Sequence, residues 1–370
     1  MLALSLTALL MWLGLLVLPW RPWSTRERID STLNAAHPAL GSVSVLIPAR
    51  DEADCIATTL RSVAAQGATD RIILVDDQSS DGTSERAREL KIPNLEIVAG
   101  VPPAPEWSGK LWALQQGFAR VNTAYTLLLD ADIELAPGLL SALLDKLVTE
   151  RRVMVSVMAR LPMSSVWEGL LIPPFIYFFK LIYPFALANG SNRWVAAAAG
   201  GCILIETQAL KKIGGFAALR GALIDDCSLA RKIKDSGGGI WLGLSQGVRA
   251  IRPYAGLTEI WNMVARTAFT QLHYSTGLLF ACTGLMGITF MVPLFGLWSS
   301  DNTVRVIAVA TLAAMLRTYL PILAYYGRHR GWVLTLPVAA LLYLAMTWTS
   351  ALRYWRGERS RWKNRIYERI

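Results

Sequence analysis

The stretch RIILVDDQSSDGT, Arg71 to Thr83, runs through four apolar residues, ends on two carboxylates and then turns through serine, aspartate and glycine. Such a run predicts a strand that closes into a turn and a helix start, with Asp81 or Ser80 placed as the helix cap. The pattern recurs on both sides. SVSVLIP (Ser42 to Pro48) precedes it and leads into PARDE (Pro48 to Glu52), LEIVAG (Leu95 to Gly100) follows, and YTLLLDAD (Tyr125 to Asp132) ends on a D-x-D. Helical periodicity fills the gaps at Cys55 to Gln66 and Lys110 to Arg120. Strands alternating with helices predict an α/β domain with a mainly parallel sheet over about residues 41–275. Open α/β sheets bind ligands at the carboxyl ends of their strands, where Asp76, Asp77, Asp130 and Asp132 fall.

The rest of the chain is different in kind. Of its 370 residues 53% are hydrophobic, and the mean hydropathy is +0.37, too apolar for a purely aqueous protein of this size. With 17% charged residues and 28 glycines it can still build a folded aqueous domain, which argues against both a plain multi-span bundle and a disordered chain. The net charge of +10 suits anionic lipid or nucleotide phosphates. No ladder of basic residues interleaved with aromatics appears, so no nucleic acid partner is expected. Cys55, Cys202, Cys227 and Cys282 lie far apart without a C-x-x-C pair, and read as reduced packing residues in a reducing compartment.

Met1 to Trp20 is an apolar run long enough to cross a hydrocarbon core, followed by Arg21, Arg26 and Arg28. With no basic n-region before it and no small-residue cleavage site after it, it reads as an uncleaved anchor that leaves residue 21 onward in the cytoplasm. Val166 to Ala188 is also apolar, but Glu168, Lys180, Pro173, Pro174 and Pro184 interrupt it, and a crossing would cut the α/β domain in two. It is expected to be a broken segment resting in the membrane interface. Gly277 to Trp298, Val304 to Tyr326 and Trp332 to Leu352 could each span, giving a C-terminal membrane region over 277–352 and a basic tail over 353–370. If all three cross, the tail with Arg353, Arg356, Arg359, Arg361, Lys363, Arg365 and Arg369 falls outside, against the positive-inside tendency. One run is therefore expected to be re-entrant, and Val304 to Tyr326, interrupted by Arg317 and Pro321, is the leading choice. The location that follows is a multi-pass protein of the cell inner membrane, its main domain facing the cytoplasm.

Two carboxylates one residue apart at a strand end can turn toward one hard cation that also holds a diphosphate, and such oxygen ligands suit Mg²⁺ or Mn²⁺. A lone D-x-D is weak, being common in polar loops. The ordered set PARDE, DDQSSDGT, GKLWALQQG and DAD is far stronger, and with it residues 42 to 275 resemble the family 2 glycosyltransferases of the GT-A fold. The resemblance implies that Asp77, with Asp76 beside it, contacts the nucleotide base and that the segment Pro48 to Glu52, with Arg50 and Glu52, borders the same pocket. It implies that Asp130-Ala131-Asp132 holds a divalent metal and the donor diphosphate. Gly109 and Lys110 match the glycine-lysine that opens the helix beneath the donor, although Lys110 read alone could be an ordinary surface residue.

AAAAGGCILIETQALKKIGGF (Ala196 to Phe216) resembles the acceptor-side strand and helix, where Gly200 and Gly201 would allow close backbone approach to a ligand or serve tight packing. LIDDCSLARKIKDSG (Leu223 to Gly237) matches the family's acidic pair before a helix, and Asp226 aligns with the catalytic base. Asp225 and Asp226 could equally be helix caps. Direct displacement of a sugar needs a base for the acceptor hydroxyl and a cation for the departing diphosphate, which Asp226 and the D-x-D respectively would meet. The chain departs from the family at Ser228, where a further acidic residue is usual, and at Met263 to Thr267, which keeps only Arg266 of a Q-x-x-R-W signature. That argues against a processive polysaccharide synthase. Arg266 would pair with diphosphate or anchor an interfacial helix, and Gln271 and His273 have the same ambiguity.

The anchor, the PPFIYFFK segment and the closing apolar runs look most like the hopene-associated glycosyltransferases of bacteria, relatives of ceramide glucosyltransferases. The implied activity is inverting transfer from a nucleotide-diphospho-sugar, a UDP-sugar by preference, to a lipid hydroxyl such as that of a hopanoid. Two rivals remain: a polyprenyl-phosphate glycosyltransferase, whose acceptor needs no base, and a non-catalytic membrane partner that binds nucleotide sugar.

Overall fold

The computed structural model describes all residues except 32–36, 223, 363–364 and 369–370. Leu223 of the acidic-pair stretch and Lys363 and Arg369 of the basic tail thus lie outside the described residues.

Among the described residues eight strands form one sheet: β1 (Val43–Ala49), β2 (Arg71–Asp76), β3 (Leu95–Ala99), β4 (Tyr125–Leu129), β5 (Ile133–Leu135), β6 (Met154–Arg160), β7 (Cys202–Glu206) and β8 (Ile240–Ala250). Their order is β3-β2-β1-β4-β7-β6-β8-β5. The first four are parallel, β7 runs antiparallel between β4 and β6, and β8 is parallel to β6 with β5 antiparallel beside it. This is the mixed, mostly parallel sheet of a GT-A domain. From β1 the chain winds one way to β2 and β3, then returns to place β4 on the other flank. The switch opens a crevice at the carboxyl ends of β1 and β4, where Pro48 and Asp130 stand.

Helices cover both faces, so β1 is buried at every position and reads as an unbroken apolar run. Val45 and Ile47 pack on one side with Ile56, Leu60 and Val63 of the helix Ile56–Ala64. Leu46 packs on the other with Leu111, Leu114 and Phe118 of the helix Gly109–Phe118. Gly117 lets that helix lie close, since a Cβ there would meet Val75 Cγ2 at 2.7 Å and Leu46 closer still. Ser108 caps the helix, its Oγ accepting from Leu111 N at 3.4 Å, and thereby fixes Lys110 in the first turn above the crevice.

Four apolar helices form a bundle that packs against the β6–β8 side of the sheet domain. Thr276–Gly296, Asn302–Tyr325 and Arg330–Trp355 are long and apolar enough to cross a membrane, whereas Leu2–Val17, with 16 residues, is shorter. Leu10, Val17, Phe280, Phe295, Val306 and Val309 are exposed on their outer faces. Inward, Trp12 meets Phe290 edge to face at 5.3 Å and donates from Nε1 to Thr289 O at 3.0 Å, so the N-terminal helix packs into the C-terminal bundle.

Two expectations need correction. Val166 to Ala188 is not broken at its paired prolines: one helix runs from Val166 to Ile182 through Pro173 and Pro174, and the chain breaks only at Pro184. Pro173 and Pro174 follow Leu171 and Ile172 in a helix buried on most of its surface, where packing outweighs the lost hydrogen bonds. Tyr177 meets Tyr319 at 5.4 Å on the bundle side, so the helix is a packed layer between sheet domain and bundle. Its start is a capping box between Ser165 and Glu168. The second correction concerns Val304 to Tyr326, which does not fold back: Asn302–Tyr325 is one unbroken helix of 24 residues, with Pro321 accommodated near its end.

Candidate active site

The D-x-D forms the turn between β4 and β5. Asp130 N donates to Gly201 O at 3.1 Å and Ile251 N donates to Asp132 O at 2.8 Å, so the backbones of the β7 and β8 segments fix the turn. Lys110 Nζ lies 2.7 Å from Asp130 Oδ1 and 4.0 Å from Asp225 Oδ2. Asp225 and Asp226 occupy the first turn of the helix Asp225–Asp235, where the positive end of the helix dipole favours carboxylates. Neither is the cap residue, which is Ile224; Asp226 Oδ1 accepts from Cys227 N at 2.7 Å. Asp226 is thus inside the helix with its other oxygen turned toward Gly200, where a Cβ would stand 3.3 Å from Oδ2.

The electrostatics follow from that grouping. Burial, then the adjacent Asp225 carboxylate, pushes Asp226 up to about 6. Burial likewise raises Asp130, with Lys110 opposing it. Burial alone would lower Lys110, but Asp130, Asp225 and Asp226 override it and hold the ammonium above the usual lysine range. Lys110 is therefore held among the carboxylates of Asp130, Asp225 and Asp226, whose mutual repulsion favours a further positive charge.

A cavity of about 780 Å³ opens on these groups. Asp130, Asp132, Asp226 and Gly200 form its sheet-side wall, and Phe175, Phe179, Met263 and Phe269 an apolar one. Glu52 and Arg266 also line it, whereas Pro48 lines a small pocket beside Lys110 and Asp130. A polar corner of this size joined to an apolar wall can take an amphipathic ligand.

Other expected site residues are placed differently. Asp77 is wholly buried, with Arg50 Nη1 at 3.8 Å from Oδ2 and donating to its carbonyl at 2.6 Å. Asp76 accepts from Ser79 N at 2.9 Å and from the Ser84 hydroxyl. Both carboxylates brace the β2 turn and stand outside the large cavity. Ala131 points into the core, and its carbonyl accepts from Thr59 Oγ1 at 2.7 Å, so it offers the cavity no side-chain contact. Gln271 accepts from Tyr183 Oη at 2.6 Å, a packing contact.

Arg252 was not anticipated. It follows β8, pairs with Glu52 and lines the cavity near Asp132. An arginine after a strand has no distinguishing local pattern, and its partner lies 200 residues earlier. Arg353 and Tyr354, from the last apolar helix, also reach the cavity.

Sheet order, crevice and acidic turn define a nucleotide-diphospho-sugar transferase domain of the GT-A class. Residues 44–214 match the Glycosyl transferase family 2 profile. It is 34% identical over 96 residues to a 4,4'-diaponeurosporenoate glycosyltransferase of Staphylococcus haemolyticus, covering 25% of each chain. Its likeness to the Staphylococcus aureus protein of the same name is 32% over 102 residues, 28% of this chain and 26% of that one. The match thus spans about a quarter of these relatives' length. Among solved structures, a mannosyltransferase from Pyrobaculum calidifontis in complex with GDP-Man and Mn²⁺ superposes with a TM-score of 0.56 at 18% identity, over 95% of this chain and 98% of that one. At that identity the likeness is one of fold.

Proposed function

We propose that this chain is a membrane-bound inverting glycosyltransferase that moves a sugar from a nucleotide-diphospho-sugar to the hydroxyl of a lipid. The observation that carries the reading is the shared cavity, in which Asp130, Asp132 and Asp226 face an apolar wall. The family supports sugar transfer. That the similar Staphylococcus proteins are 4,4'-diaponeurosporenoate glycosyltransferases supports a lipid-like acceptor. A hopanoid or similar polycyclic or long-chain alcohol is the acceptor we favour, a UDP-sugar the donor, and the inner membrane the location.

Asp130 and Asp132 fit a divalent metal. They face the cavity from one turn, and no ready-made cluster of three metal-ligating side chains occurs among the described residues. Mg²⁺ and Mn²⁺ commonly use one or two carboxylates plus substrate phosphates, so two suffice. Held by Asp130 and Asp132, such a cation would supply positive charge against the negative charge that develops as the nucleotide departs. Asp226 takes the proton of the acceptor hydroxyl as its oxygen attacks the anomeric carbon, and burial makes it a stronger base than a free carboxylate. Arg266 would hold the diphosphate from across the cavity, and the brace of Arg50, Asp76 and Asp77 shapes the nucleotide end.

A membrane assay with a panel of radiolabelled nucleotide sugars and extracted lipids, scored by product chromatography, tests the reading. A labelled lipid made by the native chain and not by Asp132→Ala is the expected result. Transfer undiminished in excess chelator would remove the metal from it.

A further inference from the structure

The last apolar helix touches the sheet domain or its packed layer along its whole length. It covers Leu336–Trp355, 20 residues, or about 30 Å at the α-helical rise. At its start Leu336 and Ala340 share one core cluster with Leu242 and Leu244 of β8, and the preceding helix ends at the same strand, where Tyr325 O accepts from Gln246 Nε2 at 2.7 Å. Arg328 lies 4.7 Å over the Trp332 ring, and both press on Gly169, where a Cβ would stand 3.2 Å from Arg328 Cζ and 3.4 Å from Trp332 Cη2. Gly169 adjoins Glu168, whose Oε1 accepts from Tyr254 N at 2.8 Å in the cavity wall.

Midway, Tyr343 Oη donates to Leu171 O at 2.8 Å and Trp261 Nε1 donates to Thr349 Oγ1 at 3.2 Å. At the far end Phe269 N donates to Ser350 Oγ at 3.1 Å, Arg353 Nη2 donates to Asn262 Oδ1 at 2.7 Å, and Tyr354 stacks on Tyr274 at 4.4 Å. Ser350, Arg353 and Tyr354 then line the same cavity as Asp130 and Asp226.

A spanning helix of this length must put one end among the far headgroups, about 30 Å from the other along the membrane normal. Here one end is held at β8 and Gly169, and the other at the catalytic cavity. We infer that the helix Leu336–Trp355 lies in the plane of the membrane interface as the floor of the acceptor cavity, with Arg353 facing the polar end of the lipid, and that the chain ends on the same side as its sheet domain. The hairpin of Thr276–Gly296 and Asn302–Tyr325 is then what crosses and returns. Its limbs pack at Gly296, where a Cβ would stand 2.9 Å from Ala308 Cβ, and its tip carries Trp298, 80% exposed. Arg356, Arg359, Arg361 and Arg365 consequently sit beside the domain, on the side that the arginines after Met1 to Trp20 mark as cytoplasmic. An in-plane helix removes the charge conflict that three crossings would create.

The inference rests on the membrane association proposed above, but its test needs no activity. A single protease site is placed in the exposed turn at Arg151 of one full-length variant and after Ile370 of another, and cleavage is followed in inverted and right-side-out membrane vesicles. The expected result is that both sites are cut in inverted vesicles and both are protected in right-side-out ones. Cleavage of the two sites from opposite sides would overturn the in-plane helix and leave the glycosyltransferase reading intact. Recovery of the intact chain in the soluble fraction would overturn both. As a check on the cavity floor, Arg353→Ala should raise the acceptor KM several-fold with donor KM unchanged; an unaltered acceptor KM in a folded variant would remove Arg353 from the site.

Discussion

Lys110 Nζ lies 2.7 Å from Asp130 Oδ1, and the same ammonium is 4.0 Å from Asp225 Oδ2. One side chain from the first turn of a helix therefore ties the turn after β4 to the start of the helix that carries Asp226. Lys110→Met should leave Asp130, Asp225 and Asp226 to repel one another without a counter-charge. Removing one partner of a buried pair costs about 3–5 kcal/mol, and partial exposure of these groups reduces that to about 2 kcal/mol. Thermal unfolding in detergent should show the loss, and Mn²⁺ should raise the melting temperature of the variant more than that of the native chain. An unshifted melting temperature would make the pair a surface contact of no consequence.

Asp226 provides a prediction in which activity and stability move in opposite directions. Its carboxyl is raised from an ordinary 3.8 to about 6, so the folded state binds an extra proton between those values. The stability this contributes is fully present below 3.8 and is lost as pH rises through about 6. At pH values well above that, Asp226→Asn should melt higher than the native chain, by on the order of 1 kcal/mol after discounting for partial exposure, and the gain should vanish in acid. Turnover should fall by about two to four orders of magnitude with donor affinity nearly unchanged. Full turnover in the folded variant would point instead to an acceptor that is already an anion, such as a polyprenyl phosphate.

The first half of this site is visible in the sequence because each parallel strand is an apolar run that stops at its own polar end. The strand pattern alone therefore brings the segments ending at Pro48, Asp77 and Asp132 together. It does not set their distances. Nothing in the chain shows that Asp77 is enclosed by Arg50 while Asp130 lines the cavity, since both are strand-end carboxylates and only packing distinguishes them. Lys110 taken alone could be a surface residue because its partner is 20 positions away on another element. The last apolar run had the composition of a span. What sets its course is a series of contacts to Leu171, Trp261 and Asn262, all distant in sequence.

Glu168 shows the same limit and carries its own test. Oε2 accepts from Ser164 N at 2.9 Å, Ser164 Oγ at 2.8 Å and Ser165 N at 2.9 Å, while Oε1 accepts from Tyr254 N at 2.8 Å. Although burial opposes it, these donors hold the carboxyl below its ordinary value of 4.5. The stability it contributes is therefore present above 4.5 and lost as pH falls through the lower folded value. Glu168→Gln keeps the shape but replaces an acceptor oxygen with an amide donor, at a cost of about 1–3 kcal/mol. Melting curves of the two proteins should be well separated at neutral pH and converge in acid. Coincident curves at neutral pH would show that the link from this helix to Tyr254 bears no load.

Gly200 separates a positional role from a chemical one. A Cβ at this residue would stand 3.3 Å from Asp226 Oδ2 and 3.4 Å from Lys110 Nζ, closer than these polar groups comfortably accept a methyl. Since the sheet backbone is fixed by β7 pairing with β4 and β6, the side chains must yield. Gly200→Ala should therefore fold and bind donor like the native chain but turn over more slowly. A base displaced by a fraction of an ångström to one ångström loses up to about a hundredfold. Because Asp226 remains present and ionisable, turnover in Gly200→Ala should keep the native pH dependence on its acid limb while its plateau falls. Asp226→Asn, by contrast, abolishes the limb. A Gly200→Ala enzyme with native turnover would mean that the glycine serves packing alone, and a lost acid limb would mean that the methyl changes the protonation of Asp226 rather than its position.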